Sequence, residues 1–497
     1  MRLRQIRTSH FAIRNFRLSP LYNSRVGYQA AVEALQNGDL AAAVPMLESA
    51  VRETQYASEA VNHAYTLALY RTGDKRRLAD VAFRIANSLL SVKPAAAMDY
   101  FQRALFAGLD SSRVRRIGEV YEAWAAPRTG FVPSRVRRVA HVIGCLLPNH
   151  APTHYVKLLS GGLQAQGVES LIFTTESCAS WFFNTSEAPQ SRDAAIPYGS
   201  VIASVQGNFV ERAERIAGDI KSRGVDAVFF HGGLFEQIMA GVAALRPAPV
   251  QIHVNHGEEM DADLFDGAIR LFKDEPRQKR QNSRPGEWVP QASDIEDRLA
   301  ARAPFRRRSL GLESAASVSG TFGGLDKASR QSYLHALSAI LKRFPKHYHL
   351  FAGAGEVRSI RAYLHAEGVL TRVRFLGPMS DLAPLLASLD VYLDSFPESG
   401  EQAVVDAMGA GVPVVALRNA AQDVLGVPDL LAASGADYSA IAERVIGNPT
   451  LRARYSDAVR TRFRDAFHPS AVAARCLRFL DRVREEVCLN HASTRNA

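Results

Sequence analysis

The stretch that decides the fold is LDSFPESGEQAVVDAMGAGVPVV, residues 393–415. An apolar strand ends at Leu393, a loop rich in carboxylates follows, and a short helix then leads into a second apolar strand. This order turns the helix N-terminus toward the loop, where backbone N–H groups and the helix dipole attract an anion. Gly400 would let the backbone approach that anion closely. We therefore expect a phosphate-bearing ligand, such as a nucleotide diphosphate, at this loop.

The segments before this stretch alternate between apolar strands and helices. Strands are predicted at 318–322, 348–352, 373–375 and 391–393, with helices at 329–342, 357–367 and 381–388. Such alternation is typical of a doubly wound parallel sheet, which binds ligands at the carboxyl ends of its strands.

A second sheet of the same kind is predicted earlier in the chain. Its strands are expected at 139–147, 170–174, 227–230 and 250–254, with a helix at 155–166. The charged, proline-interrupted residues 273–308 are interpreted as a linker or an irregular crossover between the two sheets. Two such sheets leave a cleft between them, which is the expected ligand site.

The N-terminal region, from about Val26 to Trp124, is rich in alanine and predicted to be helical. Gly38, Gly73 and Gly108 are 35 residues apart, and an aspartate stands one or two residues after each. That spacing is close to the ~34-residue period of tetratricopeptide helix pairs. A generic helical bundle with a coincidental period is the alternative.

Composition restricts the class of protein. At 497 residues, 47% hydrophobic and 22% charged, the chain is expected to form two or three globular domains. A net charge of +10 fits an anionic ligand or an ordinary solvated surface, and no basic run is interleaved with aromatics as nucleic-acid grooves require. No apolar run is long enough to span a membrane and no signal peptide is evident, so a cytoplasmic location is expected.

Four short islands of sequence carry a resemblance to a known family. They are Phe322 to Lys327, Ile340 to Pro345, Leu386 to Asp394 and Gly400 to Val415. These islands resemble the C-terminal half of glycosyltransferases with the GT-B fold, most closely the O-linked N-acetylglucosamine transferase and SPINDLY-like family. That family also places tetratricopeptide repeats before its catalytic halves, and its His-containing loop is similar to Asn149 to His154.

The resemblance implies an α/β protein with the GT-B fold, two Rossmann-like domains preceded by an α-helical tetratricopeptide-like domain. The predicted domains are residues 1–130 (helical repeats), 137–290 (acceptor domain), 300–480 (nucleotide-sugar domain) and 481–497 (tail).

The resemblance also implies a donor site. A lysine at the place of Lys327 contacts the donor diphosphate and stabilises its departure, and a carboxylate at the place of Asp406 holds the ribose. The other residues expected at this site are Gly323, Gly324, Glu398, Ser399, Gly400, Glu401 and Gln402. Glu401 and Gln402 match the family only loosely. Lys327 as a solvated loop lysine, and Asp406 as a carboxylate that merely favours the helix dipole, are the alternatives.

Glu398 raises a question of stereochemistry. Glu398 and Asp406 are eight positions apart, similar to the Glu-x7-Glu pattern of retaining GT-B enzymes. Glu398 is therefore either a sugar contact or an ordinary solvent-facing residue, and the inverting or retaining outcome stays open.

Histidines are the candidates for the acceptor side. A neutral imidazole can take a proton from an acceptor hydroxyl, and His150 is the favoured catalytic histidine. His154, His231 and His256, with Glu258, stand at or near the predicted carboxyl ends of strands and are expected to line the acceptor site. His253, inside a strand, is expected in the core. A structural, helix-capping role for His150 and His154 is the alternative, and no third ligand with readable spacing supports a metal site.

The predicted function is transfer of a hexosyl or N-acetylhexosaminyl group from a nucleotide sugar to an acceptor, which could be a protein side chain reached through the helical repeats. UDP-linked donors are favoured over GDP-linked ones, and no further cofactor, nucleic acid or membrane span is expected. Two alternatives remain: a transferase that builds a glycan or lipid-linked saccharide, and a non-catalytic repeat protein that only binds a nucleotide.

Overall fold

Six helices come before the first strand in a computed structural model of the chain, which describes residues 25–127, 135–147, 150–176, 200–203, 207–256, 260, 262–271, 284–312 and 316–495. The helices are α1 Arg25–Gln36, α2 Leu40–Glu53, α3 Glu59–Thr72, α4 Lys75–Leu89, α5 Pro94–Ala107 and α6 Ser111–Ala123. The chain divides into two compact units, the first made of residues 1–160, 167–288 and 477–497 and the second of residues 161–166 and 289–476.

The predicted glycine–aspartate punctuation marks the turns inside three helix pairs. Gly38 and Gly73 have φ of 80° and 75°, a left-handed conformation that suits glycine. Asp39 and Asp74 then cap the next helix, each accepting a backbone N–H at its start. Odd-numbered helices begin at residues 25, 59 and 94 and even-numbered ones at 40, 75 and 111, so the period is visible in the fold. The helical domain is confirmed, and its assignment to the tetratricopeptide class stays a prediction.

The first unit contains a sheet of seven strands. They are β1 Arg138–Ile143, β2 Glu169–Thr174, β3 Ser200–Ala203, β4 Ala227–His231, β5 Val250–Asn255, β6 Gly267–Arg270 and β7 Gly286–Trp288. Their order is β3-β2-β1-β4-β5-β6-β7, and every neighbouring pair is parallel. Helices α7 Ala151–Ala165, α8 Phe209–Ser222 and α9 Gln237–Ala244 connect the strands. β4 and β5 are buried along their whole length: β4 is almost wholly apolar, and β5 buries the polar Gln251, His253 and Asn255 between its apolar residues.

The second unit contains a parallel sheet of six strands. They are β8 Ser317–Phe322, β9 His347–Ala352, β10 Val373–Phe375, β11 Val391–Leu393, β12 Val414–Leu417 and β13 Leu431–Ala432, in the order β10-β9-β8-β11-β12-β13. Its helices are α10 Ile295–Ala301, α11 Leu325–Ala328, α12 Gln331–Arg343, α13 Arg358–Ala366, α14 Ala383–Leu386, α15 Gln402–Gly409, α16 Arg418–Leu425, α17 Gly435–Gly447 and α18 Pro449–Ala466. Short 3-10 turns lie at Arg307–Leu310, Leu370–Arg372 and Pro428–Leu430, and the last helix, α19, spans Pro469–Arg495.

The predicted α/β fold, with two Rossmann-like sheets and a helical domain before them in the GT-B manner, is confirmed. The stretch at 393–415 has the predicted course, from β11 through a loop and α15 to β12. Strands β3, β6, β7 and β13 were not predicted.

Two segments differ from their predicted character. Residues 273–308, interpreted as a linker or an irregular crossover, contain β7 and α10 in the part that the structure describes. The expected tail at 481–497 belongs largely to α19. The residues of α19 from Leu477 onward lie in the first unit. Val483 and Val487 explain this, because they stand at helical spacing and are buried.

In the part of the chain that the structure describes, every helix is too short or too polar to cross a membrane.

The loops that contain Gly323 and Gly353 approach each other closely in the second unit, and a substitution at Gly353 tests this contact. Its φ is 148°, and a Cβ at this position would lie 1.7 Å from the carbonyl oxygen of Gly323. Gly353→Ala must therefore displace backbone, and we expect a loss of about 3 kcal/mol or more in unfolding free energy, measured by urea denaturation. Gly324→Ala is the matched control, since its φ is −71° and the Cβ would enter open space. Equal urea midpoints for the two variants would contradict this packing.

Candidate functional site

The loop after β11 is folded around one buried carboxyl group, that of Asp394. Asp394 is 0% exposed, and its Oδ1 accepts a 2.7 Å hydrogen bond from the Gly400 N–H. Within the loop, the Ser395 hydroxyl donates to the Glu398 carbonyl oxygen over 2.8 Å. The Tyr438 hydroxyl donates to the backbone carbonyl of Asp394 at 2.9 Å. A side chain at the end of β11 thus fixes the start of α15.

Burial raises the pKa of Asp394 to about 7, although the Ser399 hydroxyl, the Gly400 N–H and the charge of Lys327 favour the carboxylate. Sequence analysis did not select Asp394 as a site residue. The signal that would have found it is an acidic residue directly after a fully apolar strand, where burial requires a hydrogen-bond partner.

Two backbone amides at the start of α15 are bonded within the loop. The Gly400 N–H donates to Asp394 Oδ1, and the Glu401 N–H donates to Ser399 Oγ over 3.1 Å. Glu401 has φ 44° and ψ −89°, a conformation that costs energy for a residue with a side chain. Among the described residues the Gln402 N–H has no hydrogen-bond partner. The Gln402 N–H at the start of α15 is therefore available to meet an anion.

Lys327 is brought to this loop from the neighbouring strand β8. It lies on α11, and its Nζ donates a 2.8 Å hydrogen bond to the carbonyl oxygen of Ser399. Gly323 and Gly324, between β8 and α11, are exposed and border open space. One ammonium group and two glycines without contacts at Cβ thus follow β8 closely along the chain, and a phosphate-binding role for them stays a prediction.

Glu398 forms an ion pair with Arg330, a residue that sequence analysis did not select. Their side chains are 2.6 Å apart and about half exposed, at 49% and 52%. Such a pair adds little to stability, because solvent screens it. The sugar contact proposed for Glu398 stays a prediction.

Asp406 is buried, and its carboxylate already accepts hydrogen bonds from three side chains. It is 8% exposed, and its Oδ1 accepts from the Ser293 hydroxyl at 2.6 Å and from the Gln402 side chain at 3.3 Å. Its Oδ2 accepts from Arg298 at 3.0 Å. A ribose hydroxyl would have to replace one of these donors, and the longest bond is the one from Gln402.

The histidines expected on the acceptor side lie at the carboxyl ends of three adjacent strands of the first sheet. His231 is the last residue of β4, His256 directly follows β5, and His150 and His154 come after β1 at the start of α7. The rings of His231 and His256 are 5.4 Å apart. The ring of Tyr155, on α7, lies 5.8 Å from the first and 5.4 Å from the second. Parallel strand ends therefore bring His231 and His256 together, and the acceptor-side role of the four histidines stays a prediction.

A chain of hydrogen bonds links three of the imidazoles. His141 Nδ1 lies 2.9 Å from His231 Nε2, and His231 Nδ1 lies 3.2 Å from His256 Nε2. His231 is 3% exposed and uses both ring nitrogens on other histidines, so it meets a ligand only through His256. His141 was missed because a histidine within an apolar strand resembles an ordinary core residue.

His150 is held by a threonine. Its Nδ1 lies 2.9 Å from Thr153 Oγ1, which also accepts from the Leu147 N–H at 3.1 Å. Burial lowers the pKa of His150. Because the Thr153 hydroxyl donates to the Cys145 carbonyl oxygen at 3.4 Å, its oxygen accepts from a His150 Nδ1–H, which leaves the Nε2 lone pair for a substrate, as a general base requires.

The histidine cluster is neutral at physiological pH. Burial lowers the pKa of His141 and of His256 to about 3 and that of His253 to about 4, and it lowers the pKa of His231 well below its ordinary value. His253 is fully buried in β5, as sequence analysis expected, with its Nε2 2.9 Å from the Gly232 carbonyl oxygen.

Parts of both predicted acceptor loops, Pro148, Asn149 and Glu258 among them, lie outside the described residues. Within the described ranges, no three histidine, cysteine, aspartate or glutamate side chains are arranged to hold a metal ion.

Buried neutral histidines make stability depend on pH. The pKa of His253 is about 4 in the folded chain, and an unfolded histidine has a pKa near 6.5. Between about pH 4 and pH 6.5 the imidazole is therefore protonated in the unfolded chain but not in the folded one. The stability is therefore complete above about pH 7 and is lost as pH falls from 6.5 toward 4, by about 1.4 kcal/mol per pH unit for each such group.

His253→Gln keeps a side-chain N–H for the Gly232 carbonyl oxygen but cannot titrate. Between pH 7.5 and 5.5 we expect it to lose about 1 kcal/mol less unfolding free energy than the wild type, measured by urea denaturation. His335→Gln, at an exposed position of α12, serves as the control and should follow the wild type. An unchanged pH dependence in His253→Gln would refute the assignment.

One known protein family matches part of the chain. The family described as Glycosyl transferases group 1 matches residues 317–447, which run from β8 to α17 and contain Lys327, the 394–402 loop and Asp406. No curated protein matches the chain at a significant level.

Several solved structures are similar at low sequence identity. A mutant of the Thermobaculum terrenum O-GlcNAc transferase is 17% identical, with a TM-score of 0.48 over 94% of this chain and 98% of that one. The Anabaena protein HepE in complex with UDP and glucose is 15% identical, with a TM-score of 0.48 over 69% of this chain and 99% of that one. A glycosyltransferase from Rickettsia africae is 11% identical, with a TM-score of 0.49 over 71% and 99% of the two chains. The second sheet thus lies within the residues that match the group 1 glycosyltransferase domain.

Proposed function

We propose that the protein transfers a hexosyl or N-acetylhexosaminyl group from a nucleotide-diphosphate sugar to an acceptor hydroxyl or amide. The observation that carries the proposal is Lys327, whose Nζ lies 2.8 Å from the Ser399 carbonyl oxygen inside the domain matched by group 1 glycosyltransferases. A lysine held against a loop at the carboxyl end of a parallel sheet is well placed to receive a diphosphate.

The donor would bind at the carboxyl ends of β8 and β11. Lys327 would exchange its bond with Ser399 for the diphosphate oxygens, and its charge would stabilise the leaving nucleotide. The Gln402 N–H at the start of α15 would supply a second donor, and Gly323 and Gly324 would let the backbone lie close to the phosphates. A ribose hydroxyl would donate to Asp406 Oδ1 in place of the Gln402 side chain.

The acceptor would meet His150 in the first unit. A neutral His150, oriented by Thr153, can remove the proton from an acceptor hydroxyl as the bond to the sugar carbon forms. A protein or peptide acceptor is favoured because three helix pairs with a 35-residue period belong to the same compact unit as this histidine. Among donors, UDP-linked sugars are favoured on the resemblance of the islands at 322–327 and 400–415.

The test is release of nucleotide diphosphate from a panel of UDP- and GDP-linked sugars, with and without peptide acceptors. Lys327→Ala should lower turnover by roughly a hundredfold or more, because it removes the cation beside the leaving group. Lys342→Ala is the matched control: this lysine lies on α12 of the same unit, paired with Glu367 at 2.6 Å, and should leave turnover unchanged. Full turnover in Lys327→Ala would show that the donor site is elsewhere. An inactive wild type would favour a nucleotide-binding protein without catalysis.

Asp406 has a test of its own. Asp406→Asn keeps an acceptor for the Ser293 hydroxyl and removes the charge that ribose and Arg298 share. We expect about tenfold weaker binding of the nucleotide, measured by calorimetric titration, while the urea midpoint shows how much stability the ion pair contributes. Unchanged affinity with a lowered midpoint would mean that Asp406 is purely structural.

A further inference from the structure

The chain of three imidazoles has a direction, and the direction is set at its buried end. Each hydrogen bond between two neutral imidazoles needs an N–H on one ring and a lone pair on the other. The chain runs from His141 Nδ1 to His231 Nε2, and from His231 Nδ1 to His256 Nε2. Only two arrangements satisfy both bonds: all three rings carry hydrogen on Nδ1, or all three carry it on Nε2.

The far ring nitrogen of His141 decides between them. His141 is 0% exposed, its ring stacks on Phe229 at 5.2 Å, and its Nε2 has no hydrogen-bond partner among the described residues. If hydrogen were on Nε2, a buried N–H would be left without an acceptor, which is rarer and more costly than an unused lone pair. The arrangement with hydrogen on every Nδ1 is therefore favoured.

The same buried end prevents the chain from conducting protons. Passing a proton outward through His256 would require a new proton at His141 Nε2, where the described structure offers no donor. The chain can therefore orient a proton but cannot relay one. The Nε2 of His256 accepts from His231, so its lone pair is already used and the ring cannot serve as a general base through that nitrogen.

We propose that His256 presents a neutral Nδ1–H as a hydrogen-bond donor to the acceptor substrate, and that His231 and His141 are positioning residues that fix this tautomer. The role toward the acceptor rests on the function proposed above. It separates two tasks: His150, held through Nδ1 by Thr153, has Nε2 for taking the proton, and His256 binds an oxygen of the acceptor. The low pKa of His256, near 3, agrees with a donor that stays neutral.

The direct test needs no substrate and is made on the full chain. Nitrogen-15 NMR of histidine-labelled protein distinguishes Nδ1–H from Nε2–H rings, with assignments from His256→Asn and His231→Gln. We expect Nδ1–H at both His231 and His256. His253 is the internal reference, because a carbonyl oxygen faces its Nε2, which requires hydrogen there. An Nε2–H ring or a charged ring at His256 at pH 7 would overturn the proposal.

His141→Phe tests the fixing of the tautomer. It keeps a ring to stack on Phe229 and removes the donor to His231, so His256 should show a mixture of tautomers instead of one. His141→Asn, which can restore a donor near the Nδ1 position, should return His256 to Nδ1–H and guards against failure of the first variant to fold. A single unchanged Nδ1–H signal for His256 in folded His141→Phe would remove His141 from the proposal.

The hydrogen bond from His256 to the acceptor is tested separately by steady-state kinetics. The substrates are the nucleotide sugar and the peptide on which the wild type is active in the panel described above. His256→Phe should raise KM for the acceptor about tenfold, the cost of one lost hydrogen bond, and leave the acid limb of the pH–rate profile in place. His256→Asn, which keeps an N–H, should stay within about threefold of the wild type. Loss of the acid limb in His256→Phe would make His256 the base and contradict the division of tasks. An inactive wild type would defeat the proposed function while leaving the tautomer result intact.

Discussion

The hydrogen bond from the Gly400 N–H to the buried carboxyl of Asp394, 2.7 Å long, determines the shape of the loop between β11 and α15. Because this side chain joins the end of β11 to the start of α15, the residues between them must turn back on themselves. The turn presents the Ser399 carbonyl to Lys327 and uses the Gly400 and Glu401 amides within the chain. An apolar setting makes the bond strong and raises the pKa of Asp394 to about 7, so the loop also carries a group that responds to pH.

The two units differ in the polar side chains that they place at the ends of their strands. Each places polar side chains at the carboxyl ends of parallel strands, where backbone groups are least satisfied and ligands bind. In the second unit, charges are balanced in pairs, as between Asp406 and Arg298. In the first, burial keeps the imidazoles neutral and they satisfy one another, as His231 does with two neighbours. The Lys327 ammonium, bonded to a carbonyl oxygen, would suit a diphosphate, and neutral imidazoles would suit an acceptor hydroxyl.

Sequence predicted the elements whose pattern is long or repeated. The buried strands β4 and β5, the helix pairs and the course of residues 393–415 follow from apolar periodicity and from glycine and aspartate at helix ends. Contacts between distant residues left no such signal: nothing local indicates that Arg330 meets Glu398, or that His141 meets His231 across 90 positions. The bond from the Gly400 N–H to the Asp394 side chain, six positions away, was not predicted either.

The central claim is that Lys327 and the loop from Asp394 to Gln402 form a diphosphate site. It is tested most directly by calorimetric titration of the full chain with UDP and with uridine, and with GDP and guanosine, in the wild type and in Lys327→Ala. The account predicts that one nucleoside diphosphate binds the wild type at least about a hundredfold more tightly than its nucleoside, and that Lys327→Ala removes most of this difference. Equal affinities for diphosphate and nucleoside in the wild type, or an undiminished difference in Lys327→Ala, would contradict it.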